Sequence, residues 1–117
     1  MRHGKEGRKF HRKQGQRKSF LKGLTANLIM EGRIQTTEAR AKEIKPRVER
    51  LITIGKRQNV ASLRLLLSRL PKPAAMKLYH EVAPRFVERH GGYTRIIKGT
   101  RSRMRDGASR SIIEFVL

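Results

Sequence analysis

The chain has no cysteine and no tryptophan, only four prolines, and nine acidic residues in 117. The missing cysteine excludes disulfides and thiolate metal sites, and it suits a reducing compartment. No apolar run approaches the ~18 residues of a membrane-spanning helix. The N-terminus is basic, but no apolar stretch follows it as in a secretory signal, and His3, Gly4, Gly7 and Gly15 make a poor amphipathic transit helix. The scarcity of acids leaves no carboxylate pair for two-metal hydrolysis. His3, His11, His80 and His90 lack ligand spacing; His80-Glu81, for example, has no second histidine four residues on. No serine- or cysteine-based catalytic constellation emerges either. The expectation is a protein that is not an enzyme and carries no metal or cofactor.

What is abundant is positive charge. Lys and Arg total 29 against nine Asp and Glu, a net charge of +20. A small domain repels itself at that charge unless a polyanion cancels it. The charge is concentrated at the start, where Arg2, Lys5, Arg8, Lys9, Arg12, Lys13, Arg17, Lys18 and Lys22 face one acid, Glu6. Such a segment reads as an arm that neutralises phosphates and releases counterions. The bland alternative is a solvated tail.

The fold expected is α+β and single-domain, with an extended basic arm over residues 1–15 and a compact unit over 16–117. From Gln16, Phe20, Leu21, Leu24, Leu28 and Ile29 recur at helical spacing, and Gly32 suits the C′ position of that helix. Residues 33–36 alternate as a short strand, and Thr36 or Thr37 caps the next helix. There Ala41, Ile44, Val48, Leu51, Ile52 and Gly55 share a face that runs through Pro46. One kinked helix over 38–57 accounts for this; a second helix starting at Pro46 is the alternative. Asn59 caps a third helix with a stripe of Val60, Leu63, Leu66, Leu67 and Leu70. A fourth begins near Pro73, buries Ala75, Leu78, Tyr79 and Val82, and closes at Pro84. Strands follow over 93–98 and 111–117, joined by a long loop over 99–110 that carries Arg101, Arg103, Arg105 and Arg110. The order is α-β-α-α-α-β-β, two layers with a short mixed sheet.

Candidate binding residues follow from this layout. Arg2, His3 and the arm cations come first, then the loop arginines Arg101, Arg103 and Arg105, flanked by Arg95 and Lys98. On the 38–57 helix, Arg40 and Arg47 share an edge, while Glu38 with Lys42 and Glu43 with Arg47 stand at i,i+4, so an internally paired, solvated face competes with a binding one. Phe10 and Tyr93 are placed either to stack on an unpaired base or to pack against the domain.

Four segments carry a resemblance along essentially the whole chain. They are Met1-Arg2-His3-Gly4-Lys5 with Gly7-Arg8-Lys9; Gly32-Arg33-Ile34-Gln35-Thr36-Thr37 with Arg40-Ala41-Lys42-Glu43, Glu49 and Leu51-Ile52-Thr53; Pro84-Arg85-Phe86 leading to Gly91-Gly92-Tyr93-Thr94-Arg95-Ile96; and Asp106-Gly107-Ala108 before Ile112-Ile113-Glu114. In this order and at these separations they resemble the family of the seventeenth protein of the bacterial large ribosomal subunit. Two departures are His11 to Gly15, where members often carry Asn-Arg and paired serines, and Arg105, where a glycine is common. The resemblance implies a structural constituent of the large subunit, in the cytoplasm, toward the peptide-exit side. It implies large-subunit ribosomal RNA and neighbouring large-subunit proteins as partners, with no membrane and no homo-oligomer. A general RNA- or DNA-binding or nucleoid-compacting protein is the competing reading, although no dimer seam or recognition-helix pair supports it. A membrane-surface protein would need a basic amphipathic helix, and the richest basic stretch has too little apolar face.

Overall fold

Helix α1, Gln14–Glu31, is held on one side by Leu21, Leu28 and Ile29, all buried, with Thr25 between them returning its hydroxyl to the Leu21 carbonyl at 2.8 Å. The structure, a computed structural model, describes residues 14–102, 107 and 109–116, with backbone alone at 100–102. Gly15, expected in the arm, is the second residue of this helix; the roughly 1 kcal/mol that glycine costs there is outweighed by the apolar face that follows. Gly32 ends the helix as expected: its φ of +78° is a conformation that side chains avoid, and its N–H reaches the Leu28 carbonyl at 2.7 Å. The Lys77 ammonium donates to the Met30 carbonyl nearby, at 2.7 Å.

Strand β1, Arg33–Thr37, leads directly into α2, Glu38–Gly55. Thr37 is the cap, its hydroxyl accepting from the Arg40 N–H at 3.3 Å. The helix runs unbroken past Pro46. Pro46 and Lys42, whose carbonyl the proline leaves without a helical donor, are both exposed, so the gap in the hydrogen-bond ladder falls on the solvent side of the helix. The expected face is buried in full, with Ile54 added. It makes α2 the central element, packed on α1, on all three strands and on most of the helical segments that follow.

Asn59 caps α3, Val60–Arg69, in a reciprocal box with Ser62, the Ser62 N–H donating to Asn59 Oδ1 at 2.7 Å. The stripe differs from the expected one. Ser62, Leu66 and Leu70 are buried, whereas Val60 is 64% and Leu67 38% exposed. Four of the ten residues are leucines, so apolar periodicity alone does not choose the inner face; the Asn59 cap and Pro71 fix the helix ends and with them its rotation.

Helix α4, Lys72–Lys77, does not continue to Pro84 as one α-helix. It widens into a π turn, Leu78–Val82, whose end is marked by the Ala83 N–H donating to the Leu78 carbonyl, and then tightens into a 3-10 turn, Ala83–Phe86. Pro84 has no N–H to give to an α-helical acceptor, and the changed phase lets Leu78, Val82, Ala83 and Phe86 all point inward. Tyr79 stays half-buried, its backbone carbonyl accepting from the Gln58 carboxamide at 2.8 Å.

Strands β2, Thr94–Ser102, and β3, Ser109–Phe115, complete the expected α+β order. The sheet order is β1-β3-β2 and both ladders are antiparallel, which corrects the mixed sheet. β1 and β2 run the same way, but β3 lies between them and pairs with each. The strands also extend into the expected loop: Arg101 is in β2 and Arg110 in β3, so the connection shortens to residues 103–108. Ile34, Ile113 and Ile96 align across the strands on the inner face, where α2 covers them. Phe86, Tyr93 and Phe115 close one end of the core, with ring centroids 5.2 and 6.2 Å apart around Phe86.

Candidate nucleic-acid interface

The described carboxylates divide the cations into two populations. Glu114, at the middle of the sheet, lies 2.8 Å from Arg95 and 3.7 Å from Arg33. Glu38, in the first turn of α2, lies 2.8 Å from Lys42 and 3.6 Å from Lys98. Glu49 accepts from the Gly92 N–H and the Thr94 hydroxyl, each at 3.1 Å, tying α2 to the start of β2. Arg95, Lys98 and Lys42, all sequence candidates, are therefore occupied by acids of the same chain. Solvent-exposed pairs of this kind contribute little stability, but they halve the local charge.

The second population lines an open groove of about 540 Å³ where α1, α2 and the end of α3 meet. Lys18 and Lys22 stand one turn apart on α1, Arg47 and Arg50 one turn apart on α2, and Arg69 in the last turn of α3. Leu21, Leu51 and Leu70 form an apolar floor, with Thr25 and Ser68 beside them. Among the described residues no carboxylate lines it. Five like charges around one groove repel one another, and the helices hold them there because the floor leucines belong to the core. The arrangement fits a polyanionic strand, its phosphates among the cations and its sugars or bases over the leucines.

Of the sequence candidates, Lys18, Lys22 and Arg47 fall in this groove, while Arg17 is half-buried on α1 outside it. Arg40 lies elsewhere, its guanidinium carbon 4.9 Å above the centre of the Phe20 ring. Arg2, His3, Lys5, Arg8, Lys9, Arg12 and Lys13, with Phe10, lie outside the described residues, as do Arg103 and Arg105; of Arg101 only the backbone is described. Of the two readings open for Tyr93, the structure shows the packed one. It is 3% exposed, its ring packs on Phe86, and its hydroxyl accepts from the Lys56 ammonium at 3.0 Å. That hydrogen bond is the main cause of a hydroxyl pKa below the ordinary tyrosine value. The same ammonium donates to the Arg89 carbonyl, so Lys56 clamps the turn before β2.

Arg50 and Arg69 were not singled out by sequence. Arg50 is one turn beyond Arg47, a spacing that marks a shared edge. Arg69 had no local signal, because only the packing of Leu70 brings the end of α3 to α1.

Among the described residues no helix is long and apolar enough to cross a membrane, and no group of three or more histidines and acids converges.

The family model described as Ribosomal protein L17 matches residues 20–116. Similar proteins include the large ribosomal subunit protein bL17 of Thermodesulfovibrio yellowstonii, 49% identical over 99% of this chain and 87% of its own length. The protein of the same name from Sulfurihydrogenibium sp. is 44% identical over 99% of this chain and 97% of its own. That from Fusobacterium nucleatum is 45% identical over 99% of this chain and its whole length.

Proposed function

This chain belongs to the ribosomal protein L17 family, and from that premise we propose that it is a structural constituent of the bacterial large ribosomal subunit, holding ribosomal RNA through cations that none of its described acids pairs with. The observation that carries the RNA-binding reading is the groove: five cations, no described carboxylate and a buried leucine floor on a rigid three-helix junction.

Mechanism follows from charge and rigidity. The folded unit docks without rearranging, since its groove is built on helices anchored in the core. Each phosphate neutralised releases condensed counterions, and affinity falls with salt in proportion to their number. The basic segment preceding α1 adds its own phosphate contacts, each releasing further counterions. The loop arginines Arg103 and Arg105 add two more cations for the same RNA. Its work is architectural and not chemical, its other neighbours are large-subunit proteins, and its place is the ribosome of the cytoplasm.

The test is co-sedimentation from the native bacterium at moderate and high salt. One copy per large subunit, retained at high salt, is expected. A spread over nucleic acids of all sizes, or loss from the subunit with salt, would instead point to general nucleic-acid binding.

A further inference from the structure

A second polar cleft, of about 250 Å³, lies where β1, β3 and the start of α2 meet. Gln35, Thr36, Thr37, Arg40 and Arg110 line it, and none of them belongs to the groove. Both arginines are held in position. Arg40 is the third residue of α2, and its guanidinium lies over Phe20 of α1, a cation–π contact that restricts its rotamers. Arg110 pairs across the sheet with Thr37. Strand β2 approaches Arg110 so closely that a Cβ at Gly99 would fall 2.8 Å from its carbonyl oxygen, so glycine at that position sets where the Arg110 backbone lies.

Among the described residues no carboxylate pairs with either guanidinium, and the nearest acid in sequence, Glu38, is engaged by Lys42 and Lys98. The cleft thus offers two planar forks, the Thr37 hydroxyl and the Gln35 carboxamide, with no carboxylate among its described residues. Thr37 already accepts from the Arg40 N–H, yet its hydroxyl hydrogen remains available to donate. Donors that arrive from three elements surround a tetrahedral anion better than a planar carboxylate, and forked guanidiniums match phosphate oxygens.

We propose that this cleft seats a single phosphate group of an RNA backbone, a fixed point of attachment distinct from the groove. It rests on the RNA-binding reading above. Arg40 and Arg110 clamp the phosphate, and Thr37 and Gln35, on the face of β1 that Arg110 shares across the ladder, donate to its oxygens.

The test uses the isotope-labelled full chain and two probes, inorganic phosphate and a single-stranded oligoribonucleotide. Phosphate is expected to shift the Arg40 and Arg110 side-chain resonances and the Thr36 and Thr37 amides saturably, whereas chloride at matched ionic strength does not. Arg110→Gln is expected to abolish this response and Arg85→Gln, an equal loss of charge on the exposed 3-10 turn, to preserve it. Arg110→Gln keeps the test informative where Arg40→Gln disturbs packing on Phe20. In the RNA arm, Arg110→Gln is expected to lower the salt slope of binding by about one unit relative to Arg85→Gln. Unsaturable shifts spread over arginines throughout the chain, or equal behaviour of the two variants with either probe, overturns the proposal. Wild-type protein that binds no RNA overturns the reading beneath it, and the phosphate titration still reports separately on whether the cleft holds an anion.

Discussion

At Glu38 two ammonium groups converge on one carboxylate. Lys42, by hydrogen bond and by charge, and then the charge of Lys98, hold its pKa below the ordinary 4.5. A carboxylate whose pKa is depressed by folding stabilises the fold above its unfolded value, and the contribution disappears as pH falls through the folded value. Glu38→Gln is therefore expected to lower the urea midpoint at about pH 6 and to show a smaller deficit at about pH 3, as the wild-type carboxylate takes up its proton. An equal deficit at both pH values would mean that the residue acts by packing and not by charge. The position matters beyond stability, since Glu38 engages Lys42 and Lys98 and leaves Arg40 to the adjacent cleft.

Among the elements, α3 tests how far periodicity reaches. Leu66 and Leu67 are adjacent leucines of one helix, yet the first is fully buried and the second 38% exposed. Leu66→Ala is expected to cost ~2–5 kcal/mol, read as a drop in thermal or urea midpoint, because it leaves a cavity under α2. Leu67→Ala is expected to cost well under half as much; equal losses would place the helix in a different rotation. Where one face alone was apolar, as along α2, the sequence pattern named the buried residues nearly completely. Local chemistry was equally legible: Thr37 and Asn59 as caps, Gly32 as the end of α1, and the alternation of Ile113 and Phe115 in β3. Features set by distant contacts were not. The π turn follows from fitting Phe86 into the core across Pro84, and the antiparallel sheet from β3 taking the central position. The length of the hairpin follows from strand pairing beyond Lys98 that polar, arginine-rich residues do not advertise.

For the whole molecule, +20 names a polyanionic partner but not the surface that meets it. That surface depends on where the acids are spent. Glu38 at the start of α2 and Glu114 on the central strand engage Arg33, Lys42, Arg95 and Lys98, so Lys42, Arg95 and Lys98, with equal claims in the sequence, are partly neutralised at home. Lys18, Lys22 and Arg47 join Arg50 and Arg69 only once α1, α2 and α3 have packed, which is why the groove was half legible. The most direct test compares two triple variants that lose the same charge, Arg47→Gln/Arg50→Gln/Arg69→Gln in the groove and Arg33→Gln/Lys42→Gln/Arg95→Gln among the paired cations. The measured quantity is the slope of log affinity for a large-subunit ribosomal RNA fragment against log salt. The groove variant is expected to flatten it by about 2–3 units and the paired variant by less than about one, since every phosphate that goes unneutralised takes roughly 0.7–0.9 off the slope. Equal flattening by both would show that net charge alone governs binding and would contradict the sorting of cations by the chain's own acids.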